Sequence, residues 1–557
     1  MSARKLIGKV SATEKYPSSC DEFQFWLADE TILSPFDIVL VENRTDDSIT
    51  YGVVQDILHI TDGMGHISNY VSSDFGNVET DPITRRLSLS YAKVSVVHNT
   101  KENFMPVFEG SAVYMADEDD IQVALGLDNI DEKTAIPAGL MKTGNGVSVP
   151  IKYNGDFLVG PEGAHINISG ISGLATKTSY AMFLLKAIQH KYKEDVAIIV
   201  LNVKGDDLLH IHRPSDKITE DQRKDWDDLG VPCTPFENVK YLYPYKRQKE
   251  KLYANTALAT EDLAEQVRAG QTANYVYTFE HDIGKVDMLF ANVDDPNWTI
   301  ESILNYIDYG QEFKGDLGWS DFKDVLKEFS SKGSGKNSNS SILIQSWQRF
   351  RRLINNSIND DIFVNAKSSA KEQNQTYLSD DILNINGGEM MVVDIAGLAE
   401  QLQCLVFGDI IRSVYSLKHG DYDPDDRISN KPVPKRLIIF VDELNKYAPS
   451  TSSKNSPLLA NLLDITERGR SEGVVLLSAE QFRSVIHDRI KGNCGTNIYG
   501  RTNAIEVSRP DYKFVPAVYA NMMTRLKKGD LIIHHPVFKT LLKIQFPFPS
   551  YHQGGSN

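Results

Sequence analysis

The chain is poor in cysteine, has no long apolar run and carries no excess of positive charge. Its 4 cysteines, Cys20, Cys233, Cys404 and Cys494, are spread over 557 residues, and no two form a CxxC pair. That argues against a disulfide framework or a zinc site and predicts a reducing cytoplasm. No apolar stretch approaches the ~18 residues of a membrane span. The opening MSARKLIGKV lacks the apolar core of a signal peptide. A cytoplasmic protein without a membrane partner is expected. The net charge of −16 argues against a protein coated in nucleic acid. It leaves room for a basic DNA channel inside an acidic shell. The rest is ordinary for a soluble globular chain: 41% hydrophobic and 24% charged residues. The length suggests roughly three or four domains.

The informative stretch is Ala164 to Lys193, AHINISGISGLATKTSYAMFLLKAIQHKYK. His165 to Ile168 alternate as a strand does. A loop of small residues follows, Ser169 to Thr176, with Gly170, Ser172, Gly173 and Ala175 in it. Then come Lys177, Thr178 and Ser179 and an apolar helical run from Tyr180 to Ile188. Strand, glycine-containing loop, Lys-Thr and helix is the layout of a phosphate-binding loop. Its backbone N–H groups and helix N-terminus converge on one spot and form an anion site before any side chain contributes. Lys177 would reach the terminal phosphates of ATP, and the Thr178 hydroxyl would hold magnesium. The spacing departs from the usual one, because Thr176 precedes Lys177 and Gly170 lies one place too far upstream. The plain alternative is a strand-to-helix turn with a surface lysine.

Residues 1–105 read as short strands: Leu6 to Val10, Phe23 to Leu27, Ile38 to Glu42, Tyr51 to Ile57 and Leu87 to Val97. They predict a small β-barrel, with a sandwich as the alternative. Residues 106–207 combine a linker with the first part of an α/β core. Ala116 to Asp120 reads there as an acidic solvated face. Val147 to Val159 reads as a hairpin turning at Asn154-Gly155. Val196 to Leu201, VAIIVL, predicts a strand buried on both faces, which makes 164–201 one βαβ unit. Residues 208–386 predict a mostly helical insertion. His210 and His212 in it read as loop residues. The GSGK within SSKGSGKNSNSS has the composition of a linker and no strand before it.

Residues 387–557 resume the core, with a buried strand at Met390 to Val393 ending in Asp394. Arg436 to Glu443, RLIIFVDE, is a buried strand ending in two carboxylates. Asp442 can hold magnesium through water, and Glu443 can orient and deprotonate an attacking water. Phosphoryl transfer asks the protein mainly for positioning and charge stabilisation, so this pair beside Lys177 suffices as a core. The plain alternative is a strand ending in a solvated pair. Ser456 and Pro457 start a helix that Gly469 is expected to close, leaving Arg468 and Arg470 at an exposed end. Gln481 lies just past the next strand, where an open α/β sheet binds ligand and where it could sense a γ-phosphate. Arg501 follows a further short strand. Arg470, Arg501 and Arg468 are candidates for an arginine donated to a neighbouring subunit. Lys446 and Lys454 could face a DNA channel. The tail HQGGSN is expected to be disordered.

With these pieces in place, nearly all of the chain resembles the HerA family of hexameric DNA-translocating ATPases, the HerA/FtsK group of the RecA-like fold. The matching segments are VPIKYNGDFLVGPEGAHINISG, the Asp442-Glu443 pair, ERGRSEG with the following strand and Gln481, and NCGTNIYGR. The resemblance implies an α/β fold: a RecA-like P-loop ATPase core with an N-terminal small β-barrel and a helical insertion. It implies ATP and magnesium as cofactors. The implied partners are further copies in a homo-hexamer, double-stranded DNA, and a companion nuclease or an anti-phage defence effector. The chain departs from the family at its loop, which reads GISGLATKT, and after its next strand, which runs into Asn202-Val203-Lys204-Gly205-Asp206. Two other readings stay open: a nucleotide-binding ring that serves as an assembly platform, and a monomeric NTPase.

Overall fold

The computed structural model describes residues 4–79, 87–144, 146–171, 176–295, 297–331, 342–451 and 456–554. The chain divides into two units, Met1–Asn154 with Asn503–Gln545, and Gly155–Thr502 with Phe546–Asn557.

The first unit begins with β1 (Leu6–Val10), β2 (Glu22–Leu27), β3 (Ile38–Glu42), β4 (Ile49–Thr61), β5 (Ser88–Asn99) and β6 (Ala112–Met115). They close into an antiparallel barrel in the order β1-β2-β5-β4-β3-β6, which settles barrel against sandwich. Alternation supplies its core: Ile7, Phe23, Phe25, Val39, Val41, Val94 and Val113 point inward and are buried. Closure depends on β6, a short strand absent from the sequence reading, which pairs with both β1 and β3. The acidic block after it is not simply solvated. Asp117 caps the helix Glu118–Leu125. Asp120 is buried and accepts hydrogen bonds from Arg4 at 2.8 Å and the Tyr51 hydroxyl at 3.0 Å. A buried carboxylate is tolerable only with partners of this kind.

The hairpin that follows differs from expectation. β7 (Ala135–Lys142) and β8 (Ser148–Asn154) pair antiparallel. Their turn is closed by hydrogen bonds between Thr143 and Val147, with Gly146 at φ 85°. Asn154-Gly155 is no turn, because Gly155–Leu158 continues as a helical turn with Leu158 buried.

The second unit holds β9 (Ile166–Ser169), β10 (Val196–Asn202), β11 (Val239–Pro244), β12 (Thr272–Tyr275), β13 (Gln375–Thr376), β14 (Met390–Asp394), β15 (Arg436–Asp442), β16 (Val474–Glu480) and β17 (Thr496–Tyr499). They are parallel and ordered β13-β12-β11-β14-β10-β15-β16-β9-β17. Every residue of β10, β14 and β16 is buried, as a sheet covered on both faces requires. Covering helices include α1 (Thr176–Tyr192), α2 (Glu400–His419) and α3 (Pro457–Glu472). Ser456 caps α3, and Gly473 ends it at φ 70°. Gly469 instead lies inside the helix, where a Cβ would come within 2.8 Å of the Val474 carbonyl. The stretch 208–386 contributes helices packed around Phe313, Trp319, Phe322, Phe329 and Trp347. It also adds β11, β12 and β13 to the sheet. β18 (Asp530–His534) and β19 (Leu542–Gln545) belong to the first unit, where β19 pairs with β7.

Among the central strands, β9 is followed in the chain by β10, β15, β16 and β17, while in space they lie β17-β9-β16-β15-β10. The loop-bearing strand and the strand ending in carboxylates are thus separated by one strand, β16. This is the order of a RecA-like P-loop ATPase core. The fold is α/β, with the small barrel at its N-terminus and the helical insertion within the core.

Candidate active site

Open parallel sheets bind ligand at the carboxyl ends of their strands. Here β9, β15 and β16 all end at one place. Gly170, directly after β9, donates its N–H to the Glu480 carbonyl at 3.1 Å, and Ile171 donates to the Arg501 carbonyl at 2.7 Å. A Cβ on Gly170 would come within 3.1 Å of the Gly500 Cα, so the close approach of these two segments calls for glycine. The expected loop residues Ser172, Gly173 and Ala175 lie outside the described residues, as do the GSGK stretch and Lys454. Thr176 opens α1, so Lys177 and Thr178 stand in its first turn, where the helix N-terminus favours an anion.

Lys177 is only 7% exposed. Burial lowers its pKa, while Asp442, Glu480 and Glu443 pull it back up in that order. The Thr178 hydroxyl donates to Asp442 Oδ2 at 2.9 Å. A hydroxyl and a carboxylate are hard oxygen donors of the kind magnesium takes, so the pair fits that ion, with Asp442 acting through water.

Glu443 follows β15 in the left-handed region, at φ 59° and ψ 45°. Its N–H is held by the Ala479 carbonyl at 2.7 Å and by Asp442 Oδ1 at 2.9 Å. The turn carries the Glu443 carboxylate to Lys446, with which it pairs at 2.5 Å. Lys446 is thus paired with Glu443.

Glu480, the last residue of β16, is a buried carboxyl at this end of the sheet that the sequence reading did not single out. It is fully buried, and among the described residues neither carboxyl oxygen has a hydrogen-bond partner. Burial pushes its pKa up to about 8, against the opposing influence of Asn167, Arg483 and Lys177. Beneath it runs a polar cluster that ties three strands together. Arg483 donates to Asn167 Oδ1 on β9 at 2.8 Å and to Asn497 Oδ1 on β17 at 2.5 Å. Asn167 donates to Ser478 Oγ on β16 at 3.1 Å. The available signal was the polar SAE that closes an apolar strand.

The remaining candidates are scattered. Gln481 is half-buried just beyond β16, beside the loop. Arg501 is exposed, and its carbonyl holds Ile171. Arg470 lies in the last turn of α3 and donates to the Glu162 carbonyl at 3.2 Å. That is the amino edge of the sheet, one strand length (about 20 Å) from Lys177. Arg468 pairs with Asp464 at 3.4 Å. Ser179, after Thr178, accepts a hydrogen bond from Gln553 at 3.0 Å. Of the tail expected to be disordered, His552 to Gly554 instead contact α1 and the segment after β10, and residues 555–557 lie outside the described residues. The departure after β10 also has a partner: Asn202 donates to Asp394 Oδ1 at 2.9 Å and to the Gly205 carbonyl at 2.9 Å.

No protein-family model matches the chain. No curated protein matches it either. Solved structures do. The bacterial conjugative coupling protein TrwBdeltaN70, in its unbound monoclinic form, is 10% identical over 73% of this chain and 89% of its own, with a TM-score of 0.42. VirB4 of Thermoanaerobacter pseudethanolicus is 12% identical over 75% of this chain and 97% of its own, with a TM-score of 0.41. The genome packaging NTPase B204 from Sulfolobus turreted icosahedral virus 2, in complex with sulfate, is 13% identical over 31% of this chain and 72% of its own, with a TM-score of 0.23. The functional reading rests on the site's own geometry.

Proposed function

We propose that the chain is an ATP-hydrolysing, magnesium-dependent DNA translocase or helicase. It would work as a homo-hexamer on double-stranded DNA with a partner nuclease or an anti-phage effector. The observation that carries the ATPase part is the Thr178–Asp442 contact of 2.9 Å beside a buried Lys177 facing three carboxylates. The ring, the duplex and the partner protein are supported by the sequence resemblance.

In this reading Lys177 and the N–H groups at the start of α1 hold the β- and γ-phosphates. Thr178 and Asp442 would hold magnesium, which on binding neutralises charge on the phosphate oxygens. Glu443 orients the attacking water and takes its proton once free of Lys446. Gln481, at the end of β16, would report the γ-phosphate to the neighbouring strands. A trans cation completes charge stabilisation on the transferred group. Arg470 lies too far from its own Lys177 to act in cis, which supports a role in a neighbour's site. Arg501 stands beside its own loop.

The test is a pair of variants. Glu443→Gln is expected to keep ATP binding and stop turnover, and Lys177→Ala to weaken binding itself. Wild-type turnover by the Glu443→Gln protein removes Glu443 from the mechanism. The Lys446–Glu443 pair favours a second reading, a nucleotide-binding ring that acts mainly as an assembly platform, because it occupies the carboxylate that hydrolysis needs. Under that reading nucleotide binds and the ring forms, yet duplex DNA adds no turnover.

A further inference from the structure

α1 carries Lys177 in its first turn and Lys186 nine residues further on, about 13 Å along the helix axis. There it borders a cavity of about 860 Å³, closed by the starts of β11 and β14 and the segments that lead into them. The cavity lies at the amino edge of the sheet, opposite to the proposed ATP site. Its volume falls within the range of small-molecule sites, about 300–1,000 Å³. The proposed phosphoryl transfer does not use it.

Two groups in this cavity are short of partners. Lys186 is 7% exposed. An ammonium has three donors. Among the described residues Lys186 has one hydrogen-bond acceptor, the Pro235 carbonyl at 2.8 Å, with the Phe236 ring 5.5 Å away. Burial lowers its pKa, and Glu237 at the exposed rim offsets this only in part. Such a buried cation is costly without a close anion. His190 lies one turn further along the same face of α1. Burial lowers its pKa, and so do Lys186, Lys193 and Lys191. An anion here would satisfy the ammonium and relieve that repulsion. The dipole of a helix end attracts cations, which accounts for His190 but not for Lys186, buried before the last turn.

The second group is Asp381. Its Oδ1 pairs with Lys240 at 2.6 Å, while its Oδ2 is buried without a hydrogen-bond partner among the described residues. That oxygen needs an N–H or O–H donor. Of the other lining acids, Glu389 is engaged by Asn386 at 2.9 and 3.0 Å, and Glu194 is exposed. The lining also offers the side-chain amides of Gln189, Asn238 and Gln271.

We propose that this cavity is a second ligand site, for a phosphate ester of a polyol. Lys186, His190 and Lys193 hold the phosphate, and a hydroxyl of the ester donates to Asp381 Oδ2. A free sugar phosphate and a nucleoside monophosphate share this chemistry.

Calorimetry on the full chain compares ribose 5-phosphate, AMP and inorganic phosphate. At least one ester is expected to bind, and more tightly than inorganic phosphate. Ribose 5-phosphate alone marks a free sugar phosphate as the ligand; AMP alone marks a nucleotide; both mark a site that reads the shared sugar phosphate. Lys186→Met is expected to weaken the ester about tenfold or more, the worth of a hydrogen bond to a charged group. Asp381→Asn should weaken it severalfold and leave inorganic phosphate unchanged. Should Lys186→Met fail to fold, Lys193→Ala at the exposed rim reads the same loss. Lys177→Ala, at the far end of α1, should change none of these affinities. The proposal is overturned if neither ester binds below millimolar concentration, if inorganic phosphate binds as tightly as the esters, or if binding survives both Lys186→Met and Lys193→Ala. A signal from AMP alone that is lost in Lys177→Ala and kept in Lys186→Met belongs to the proposed ATP site and overturns it too.

Discussion

Replacing Glu480 with glutamine should make the folded protein more tolerant of alkaline pH. Glutamine has the shape of a protonated glutamic acid and cannot ionise. In the unfolded chain this carboxyl ionises near its ordinary value of about 4.3. In the fold it ionises near about 8, because burial disfavours the charged form. Between those values the native state keeps a proton that the unfolded chain has released. Raising the pH therefore favours unfolding, by about 1.4 kcal/mol per pH unit. From pH 6 to pH 8.5 the group loses roughly 2–3 kcal/mol, and above the folded pKa the loss levels off. The Glu480→Gln protein has no such component, so it should gain on wild type by that amount across the window. The measurement is the difference in melting temperature between the two proteins, scanned every half pH unit with EDTA present and no nucleotide. A divergence of roughly 2–4 °C is expected for a chain of this size. Parallel profiles over the whole range would show that Glu480 is not held neutral, and the buried carboxyl between Lys177 and Asp442 would need another account.

Three other outcomes follow from the same geometry. Lys446→Ala removes the ion pair on Glu443; ATP turnover should rise by up to about fivefold, since such a half-exposed pair is worth ~0.2–1 kcal/mol, and a fall in turnover would make Lys446 a working part of the site. Arg470→Ala subunits should be inactive alone, by about a thousandfold, yet regain partial ATPase when mixed with Lys177→Ala subunits; alanine at Arg468, Arg470 and Arg501 without effect would end the trans-arginine model. Duplex binding by the nucleotide-loaded protein should be independent of sequence and weaken steeply with salt, and binding that ignores salt would speak against a basic channel.

Much of this was legible because burial and polarity change sharply where it matters. The LIIFV within β15 and the VAIIVL of β10 are unbroken apolar runs because both faces are covered, and a carboxylate at the end of such a run stands out. The barrel strands were legible from their alternation. Glu480 was not. β16 extends three residues, Ser478 to Glu480, beyond its apolar run, and only the surrounding tertiary packing says that they remain buried. Gly469 carries a strong helix-stop signal locally and is kept in the helix by its approach to Val474. The hairpin turn was placed at Asn154-Gly155, whereas the pairing of β8 with β7 puts it between Thr143 and Val147. Asp120 looked solvated because its partners Arg4 and Tyr51 are remote in sequence. His552 to Gly554 were read as part of a loose end because their contacts are with segments hundreds of residues away.

The last two residues of β16 have a consequence for how such a site can change. Their carbonyls face opposite ways along the sheet, one holding Glu443 and the next holding Gly170. Two consecutive peptide units of one strand are thus the common datum for the group that would activate water and the loop that would grip phosphate. An insertion, a deletion or a slip in β16 would displace both reference points together, so the two halves cannot drift apart in small independent steps. Variation in rate must then come from side chains hung on this frame, such as Lys446, Glu480 and Gln481, while the separation of the two halves stays fixed by the backbone.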